Sequence, residues 1–245
     1  MTKQTQAVDR YERALAVVSE QLLAEFGNDL LGLLFAGSAA YGTPMKTSDL
    51  DLFVLIAQPW RQRRNLVVEG VEVDLFINPL SQIKKELNRS YNSTIEMFAR
   101  GKIVYDPQGL LEELAAEARQ IRSRPPKPPT DTYFVRYKPS DALRDVEDLM
   151  DVDPQAASLQ LSVALREALE ALFLREGRRP PKPKHLLQQV AEHGADIAAD
   201  ARTVLDGSFP LEERVELLRS ITERILAPVG GILLEGETAP EPVTD

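Results

Sequence analysis

Apolar positions recur at helical spacing between Tyr11 and Glu25, with Leu15, Val18 and Leu22 on one face, and Gly27-Asn28-Asp29 ends that helix. Three β-rich runs follow, Leu30 to Ala36, Leu52 to Ile56 and Val71 to Ile77. Between the last two, Pro59, Trp60 and three arginines read as a turn segment. The pattern then predicts a helix over Leu80 to Arg89, a short strand over Ile103 to Tyr105 and an amphipathic helix over Leu110 to Ile121. A proline-rich basic stretch, from Arg122 to Pro129, holds neither a helix nor a central strand and reads as a linker. Beyond it only long helices are expected, over Asp141 to Met150, Gln155 to Glu176, Lys184 to Leu205 and Leu211 to Leu226. They are separated at Asp153-Pro154, Gly177 to Pro183 and Gly207 to Pro210, and connections this short favour antiparallel packing. The expected fold class is α/β (α+β), a small mixed sheet with helices, followed by an all-α antiparallel bundle. Its divisions are a domain over 1–121, a linker over 122–132, a bundle over 133–234 and a disordered acidic tail over 235–245.

Composition narrows the function. The chain has 245 residues, 43% hydrophobic and 27% charged, as in an ordinary globular protein, and no run is long and apolar enough for a membrane span. The first six residues have no apolar stretch behind their single lysine, so the reading is a cytoplasmic protein without a secretory signal. Cysteine is absent, which removes disulfides, thiolate zinc sites and cysteine nucleophiles. With two histidines, His185 and His193, a structural zinc site has too few ligands. The 38 acidic against 29 basic residues give a net charge of -9, which repels a phosphate backbone and disfavours duplex nucleic acid as a partner.

The segment from Phe35 to Val54 carries the chemistry. An apolar strand ends in Gly37-Ser38, a loop follows, and a second apolar strand begins with Ser48-Asp49-Leu50-Asp51. Alternation along a strand turns Asp49 and Asp51 to one face and Leu50 and Leu52 to the core. In the third run Asp74 alternates with Val73 and Leu75, and a neighbouring strand brings it toward the other two. Converging carboxylates repel unless cations neutralise them, and hard oxygen ligands suit Mg²⁺ held jointly with substrate phosphates. Gly37 lets the backbone approach a phosphate, Ser38 offers a hydroxyl and an N–H, and the residues after them open a helix whose N-terminus favours anions. Gly37 to Gly42 has the spacing of a P-loop, but Thr43-Pro44 stands where Lys-Ser/Thr is required, so that reading fails.

Strand, Gly-Ser, a glycine four positions after Ser38, Ser-Asp-x-Asp ten positions after it, an apolar strand and a third strand with one more aspartate together resemble the nucleotidyltransferase superfamily. That family includes the DNA polymerase beta palm, kanamycin nucleotidyltransferase and the minimal nucleotidyltransferases. The resemblance covers Leu31 to Ile77. It implies that Asp49 and Asp51 bind two Mg²⁺ ions, that Asp74 shares one of them, and that Gly37, Ser38 and Ser48 contact the nucleotide. Glu72 lies on the same strand face as Asp74 and competes for the third place; Asp74, deeper in the apolar run, is preferred. Many minimal members carry arginines in the loop after Gly-Ser, where this chain has Ala39, Ala40 and Tyr41. The helical half is similar to the bundle that follows this domain in kanamycin nucleotidyltransferase and in fused HEPN-type proteins, mainly over Ala168 to Val190. That likeness also implies a homodimer.

The implied reaction is transfer of a nucleoside monophosphate from Mg-NTP to a hydroxyl of a small, aminoglycoside-like acceptor, releasing pyrophosphate. The alternatives are nucleotidylation of a protein side chain, HEPN-type ribonuclease action and nucleotide binding without turnover. Arg179 and His185 have the arginine-to-histidine spacing of some HEPN ribonucleases, but Pro180 follows the arginine, and a helix-start histidine is the plainer reading. Arg61, Arg63 and Arg64 read as a solvated basic loop and Trp60 as a cap over the sheet edge. Arg178, Arg179, Lys182 and Lys184 concentrate charge in one loop, facing either a cleft or solvent. For the general base, the family implies a glutamate of the helical half. Glu170 has Arg166 at i-4 as a partner, whereas Glu167 has Val163 and Ala171 at its flanking positions, so Glu167 is the candidate.

Overall fold

The computed structural model describes residues 3–45, 47–89 and 92–238, with the side chains of residues 3–9 left aside. Residues 239–245 of the expected tail lie outside the described residues. The chain divides into two compact units, Met1–Arg124 and Pro125–Asp245.

The first unit is a five-stranded mixed sheet with helices on both faces. Its elements are α1 (Lys3–Phe26), β1 (Leu30–Ala36), α2 (Gly37–Ala40), β2 (Leu50–Ile56), β3 (Gln62–Val68), β4 (Val71–Pro79), α3 (Leu80–Leu87), α4 (Ser93–Arg100), β5 (Lys102–Tyr105) and α5 (Leu110–Ser123). The strand order is β3-β4-β2-β1-β5, with β2 and β4 parallel and every other pair antiparallel. Side-chain alternation sorts the strands into two faces. Leu33, Phe35, Leu52, Val54, Val73, Leu75 and Ile77 pack with Ala14, Val18 and Leu22 of α1. On the other face Leu34, Ala36, Phe53 and Leu55 pack with Ile83, Ile95, Phe98, Leu111 and Leu114 of α3, α4 and α5. Asp51 and Asp74 fall on this second face.

Two elements of this unit differ in kind from the sequence expectation. The arginine-rich segment is not a turn: Gln62–Val68 is an edge strand, paired antiparallel with β4 through a two-residue turn. Glu69 (φ 52°) and Gly70 (φ 71°) are both left-handed there, the geometry that matches strand twist in a tight hairpin. Exposure at the sheet edge lets β3 carry arginines where an inner strand carries apolar residues. Helix α4 was not anticipated. It starts where the Asn92 side chain accepts hydrogen bonds from the backbone N–H of Thr94 (2.9 Å) and Ile95 (3.2 Å), and it buries Ile95 and Phe98.

The second unit comprises α6 (Tyr133–Met150), α7 (Pro154–Leu174), α8 (Pro183–His193), α9 (Ala195–Leu205) and α10 (Leu211–Leu226). Its core joins Val146, Leu161, Leu165, Ala168, Leu172, Phe173, Leu218, Ile221 and Ile225. The helix expected from Asp141 begins eight residues earlier and continues through Pro139. That proline is buried, and Arg136 beside it donates to the Gly231 carbonyl at 2.8 Å, so tertiary contacts offset the lost helical hydrogen bond. The helix expected over Lys184 to Leu205 is two, broken at the extended Gly194. Among the described residues no helix is long and apolar enough to cross a membrane.

Candidate functional site

Asp51 stands opposite Ala36 of β1 and opposite Asp74 of β4, so the sheet register itself sets two carboxylates side by side. Asp49, just before β2, completes the group: one carboxylate oxygen from each of Asp49, Asp51 and Asp74 lies within 4.8 Å of the others. Asp51 is only 9% exposed. Three anionic oxygens, two on inner strands and one just before β2, form a donor set that fits a hard divalent cation, which would offset their mutual repulsion. Glu72, one step earlier on the β4 face, is exposed and outside the group.

The turn after β1 is built around the same carboxylate. Gly37 has φ 79°, and a Cβ there would meet Asp51 Oδ2 at 1.9 Å, so only glycine allows this approach. The helix that opens here is a single turn, Gly37–Ala40, shorter than the sequence suggested. Its return is pinned by Ser38 and Ser48, whose hydroxyls lie 2.8 Å apart. The Ser48 Oγ accepts from the Met45 N–H at 2.8 Å, and the Ser48 carbonyl accepts from the Tyr11 hydroxyl of α1 at 2.8 Å. Ser48 thereby fixes the approach to Asp49.

Three contributions were hidden in the sequence. Asn65 of β3 pairs with Asp74 in register, and its side-chain N–H donates to Asp74 Oδ1. Arg63, two residues along, sets its guanidinium carbon 3.5 Å from the Phe76 ring centroid. Desolvation pushes the Arg63 pKa down from its ordinary value, against the upward pull of Asp74 and Asp51. At the other side of the sheet, Arg100 at the end of α4 lies 4.0 Å from the Tyr41 ring centroid and pairs with Glu96 at 3.1 Å. It brings to the Gly37–Tyr41 turn the cation that the turn's own sequence lacks. Burial pushes the Tyr41 hydroxyl pKa up.

Between β3, β4 and helices α3 and α4, beginning two residues further along β2 and β4 than Asp51 and Asp74, is a cavity of about 470 Å³. Phe53, Phe76, Arg61, Arg63, Glu86 and Thr94 are among its lining residues. Arg64 instead pairs with Glu25 of α1 at 2.7 Å, and Trp60 lies with its ring centroid 6.2 Å from that of Phe26.

Glu167 and Glu170 stand on α7 of the second unit. The premise that Glu167 has no partner does not hold: Arg166 reaches it at 3.1 Å and Glu170 at 3.6 Å. Glu170 is the glutamate whose pKa is raised, first by burial and then by Glu167, with Arg166 and Lys138 opposing. Arg179 is exposed between α7 and α8, and His185 lies in the first turn of α8.

The chain matches no protein-family model and no curated protein by sequence. It is similar in structure to a nucleotidyltransferase-like protein from Exiguobacterium sibiricum 255-15, with a TM-score of 0.53 and 16% identity over 89% of this chain and 74% of that one. The chain therefore has the fold of a nucleotidyltransferase-like protein. A spectinomycin adenyltransferase, AAD(9), from Enterococcus faecialis, solved with ATP and spectinomycin, aligns at 16% identity with a TM-score of 0.39 over 88% of this chain and 99% of that one.

Proposed function

We propose that the protein transfers a nucleoside monophosphate from Mg-NTP to a hydroxyl of a small acceptor, releasing pyrophosphate. The observation that carries this reading is the convergence of Asp49, Asp51 and Asp74 beside the Gly37-Ser38 turn. In this reading Gly37 and Ser38 receive the triphosphate, with Ser48 holding the turn closed through Ser38. Arg100 adds positive charge at the same turn. Asp49, Asp51 and Asp74 would hold two Mg²⁺ ions, which when bound lower the pKa of the acceptor hydroxyl and offset the charge of the leaving pyrophosphate. Asn65 holds the Asp74 carboxylate in its orientation, and Glu167 or Glu170 would take the acceptor proton.

The test is incubation of the full chain with Mg²⁺ and each α-labelled NTP, against a panel of small hydroxyl compounds including aminoglycosides, and against cell extract. Label on a small acceptor, lost in Asp51→Asn, is the expected outcome. Label on protein alone would assign the activity to side-chain modification. No label with any acceptor, despite tight NTP binding, would leave a nucleotide-binding module.

A further inference from the structure

The order of charges across the sheet has a direction. From the β5 side to β3 it runs Arg100 over Tyr41, then Gly37 and Ser38, then Asp49 and Asp51, then Asp74, then Asn65 and Arg63. In phosphoryl-group transfer the attacking and leaving oxygens lie roughly in line on opposite sides of the phosphorus. If the leaving pyrophosphate lies at Gly37 and Ser38, the attacking hydroxyl comes from the β4 and β3 side. That is where the 470 Å³ cavity opens. Its lining residues Phe53 and Phe76 follow Asp51 and Asp74 by two positions on their strands, about 7 Å along the sheet.

The lining says what kind of body fits. The rings of Phe53 and Phe76 are 13° from parallel with centroids 5.1 Å apart, and Arg63 covers Phe76 from the next strand. Arg63, Phe76 and Phe53 thus form a row across three strands, and both faces of Phe76 are taken. What the row leaves to a ligand is ring rims, the positive end of the aromatic quadrupole, beside a guanidinium. Arg61 adds a second cation further along β3's approach. The one carboxylate in the lining, Glu86, has its Oε1 taken by Gln82 Nε2 at 2.9 Å and by Arg89 at 3.1 Å. Within the lining a polyamine meets Glu86 alone, whereas a carboxylate or phosphate meets Arg61 and Arg63, the latter also drawn toward Asp74 and Asp51.

Resting on the transferase reading above, we infer that this cavity is the acceptor subsite, and that it selects a ring-bearing hydroxyl compound with an anionic far end in preference to a polycationic one.

The experiment uses the full chain with saturating Mg²⁺ and without nucleotide, so that the carboxylate cluster does not itself draw the cationic probe, titrated by ligand-observed NMR with three probes that share a hydroxyphenyl ring: 4-hydroxyphenylacetate (anionic), tyrosol (neutral) and tyramine (cationic). The anionic probe should bind about tenfold or more tighter than the cationic one, the scale of one hydrogen bond between charged groups. Arg63→Gln should erase that preference. Ser93→Trp, at an exposed position lining the cavity, should weaken all three by filling the space. Equal or reversed charge order, or undiminished binding in Ser93→Trp, overturns the inference. A parallel thermal melt with Mg²⁺ and a non-hydrolysable NTP separates the two readings. Stabilisation by Mg-NTP with no binding of any probe sinks the subsite alone. The expected charge order without Mg-NTP stabilisation keeps the anionic chamber and sinks the transferase reading.

Discussion

Replacing Gly37 by alanine probes the site at its tightest point. The new Cβ would lie 1.9 Å from Asp51 Oδ2, and ordinary contact begins near 3.4 Å, so the carboxylate must retreat by the difference, 1.5 Å. The backbone at φ 79° adds a second penalty, about 1–2 kcal/mol for a residue with a Cβ in the left-handed region. Gly70 separates the two effects, because it has φ 71° and nothing within 4 Å of its would-be Cβ. Gly70→Ala should therefore lose only the conformational part, on the order of 5 °C in Tm for a unit of this size, and keep its turnover. Gly37→Ala should lose at least as much stability and, because a displacement of about 1 Å in a reacting group is worth roughly 10²-fold, about 10²-fold or more in turnover. The assay is pyrophosphate release from Mg-NTP alongside thermal melts of both variants. An equal loss of turnover in the two, or none in Gly37→Ala, would refute the steric argument.

Other outcomes follow from the same geometry. Asp51→Asn should abolish turnover while leaving the metal-free Tm unchanged or higher, because one of three clustered charges is removed; it should also lose the stabilisation by Mg-NTP, about 2.7 kcal/mol at a hundredfold excess over Kd, that differential scanning calorimetry reads in the parent. Arg100→Ala should raise the KM for NTP several-fold with a smaller effect on kcat, and should flatten the dependence of that KM on ionic strength, measured by steady-state kinetics in graded salt. Glu170 has a native pKa above its ordinary value, so its contribution to stability is present at low pH and is lost as pH rises through the native value. Glu170→Gln should accordingly raise the Tm of the second unit at pH 7 and leave it unchanged near pH 3; the same shift at both pH values would show that ionisation is not the cause. If turnover falls about 10²-fold in Glu170→Gln but not in Glu167→Gln, Glu170 is the proton acceptor.

The sheet and bundle classes were legible because buried elements write their period into the sequence: Leu30 to Ala36 and Val71 to Ile77 could hardly be anything else. Asp49, Asp51 and Asp74 stood out as polar positions in such runs, and parallel pairing of β2 with β4 is what sets Asp51 beside Asp74. The edge escaped. In β3 only Val68 is buried, so no alternation marks it, and the signal that remained was the Glu69-Gly70 pair between Val68 and Val71. Without β3 there was no way to see Asn65 reach Asp74 or Arg63 cover Phe76. Arg100 was hidden for another reason: it lies 59 positions from Tyr41, and no local rule links them. The Arg166–Glu167 pair escaped because helix neighbours were weighed at i,i+4, when a side chain as long as that of Arg166 also reaches the adjacent residue.

The outermost position of β3 has a consequence for how such a protein diversifies. Asp51 and Asp74 ride on strands bonded on both sides, where a change of register moves everything, whereas β3 has a single neighbour and ends in a two-residue turn. Substitution at positions 61 and 63 disturbs one ladder and leaves β2 and β4 where they are, whereas Asn65 is tied to Asp74. On the transferase reading, duplicated copies of the gene drift in what they accept while keeping the same reaction, and residues 61 and 63 are where such paralogues should first diverge.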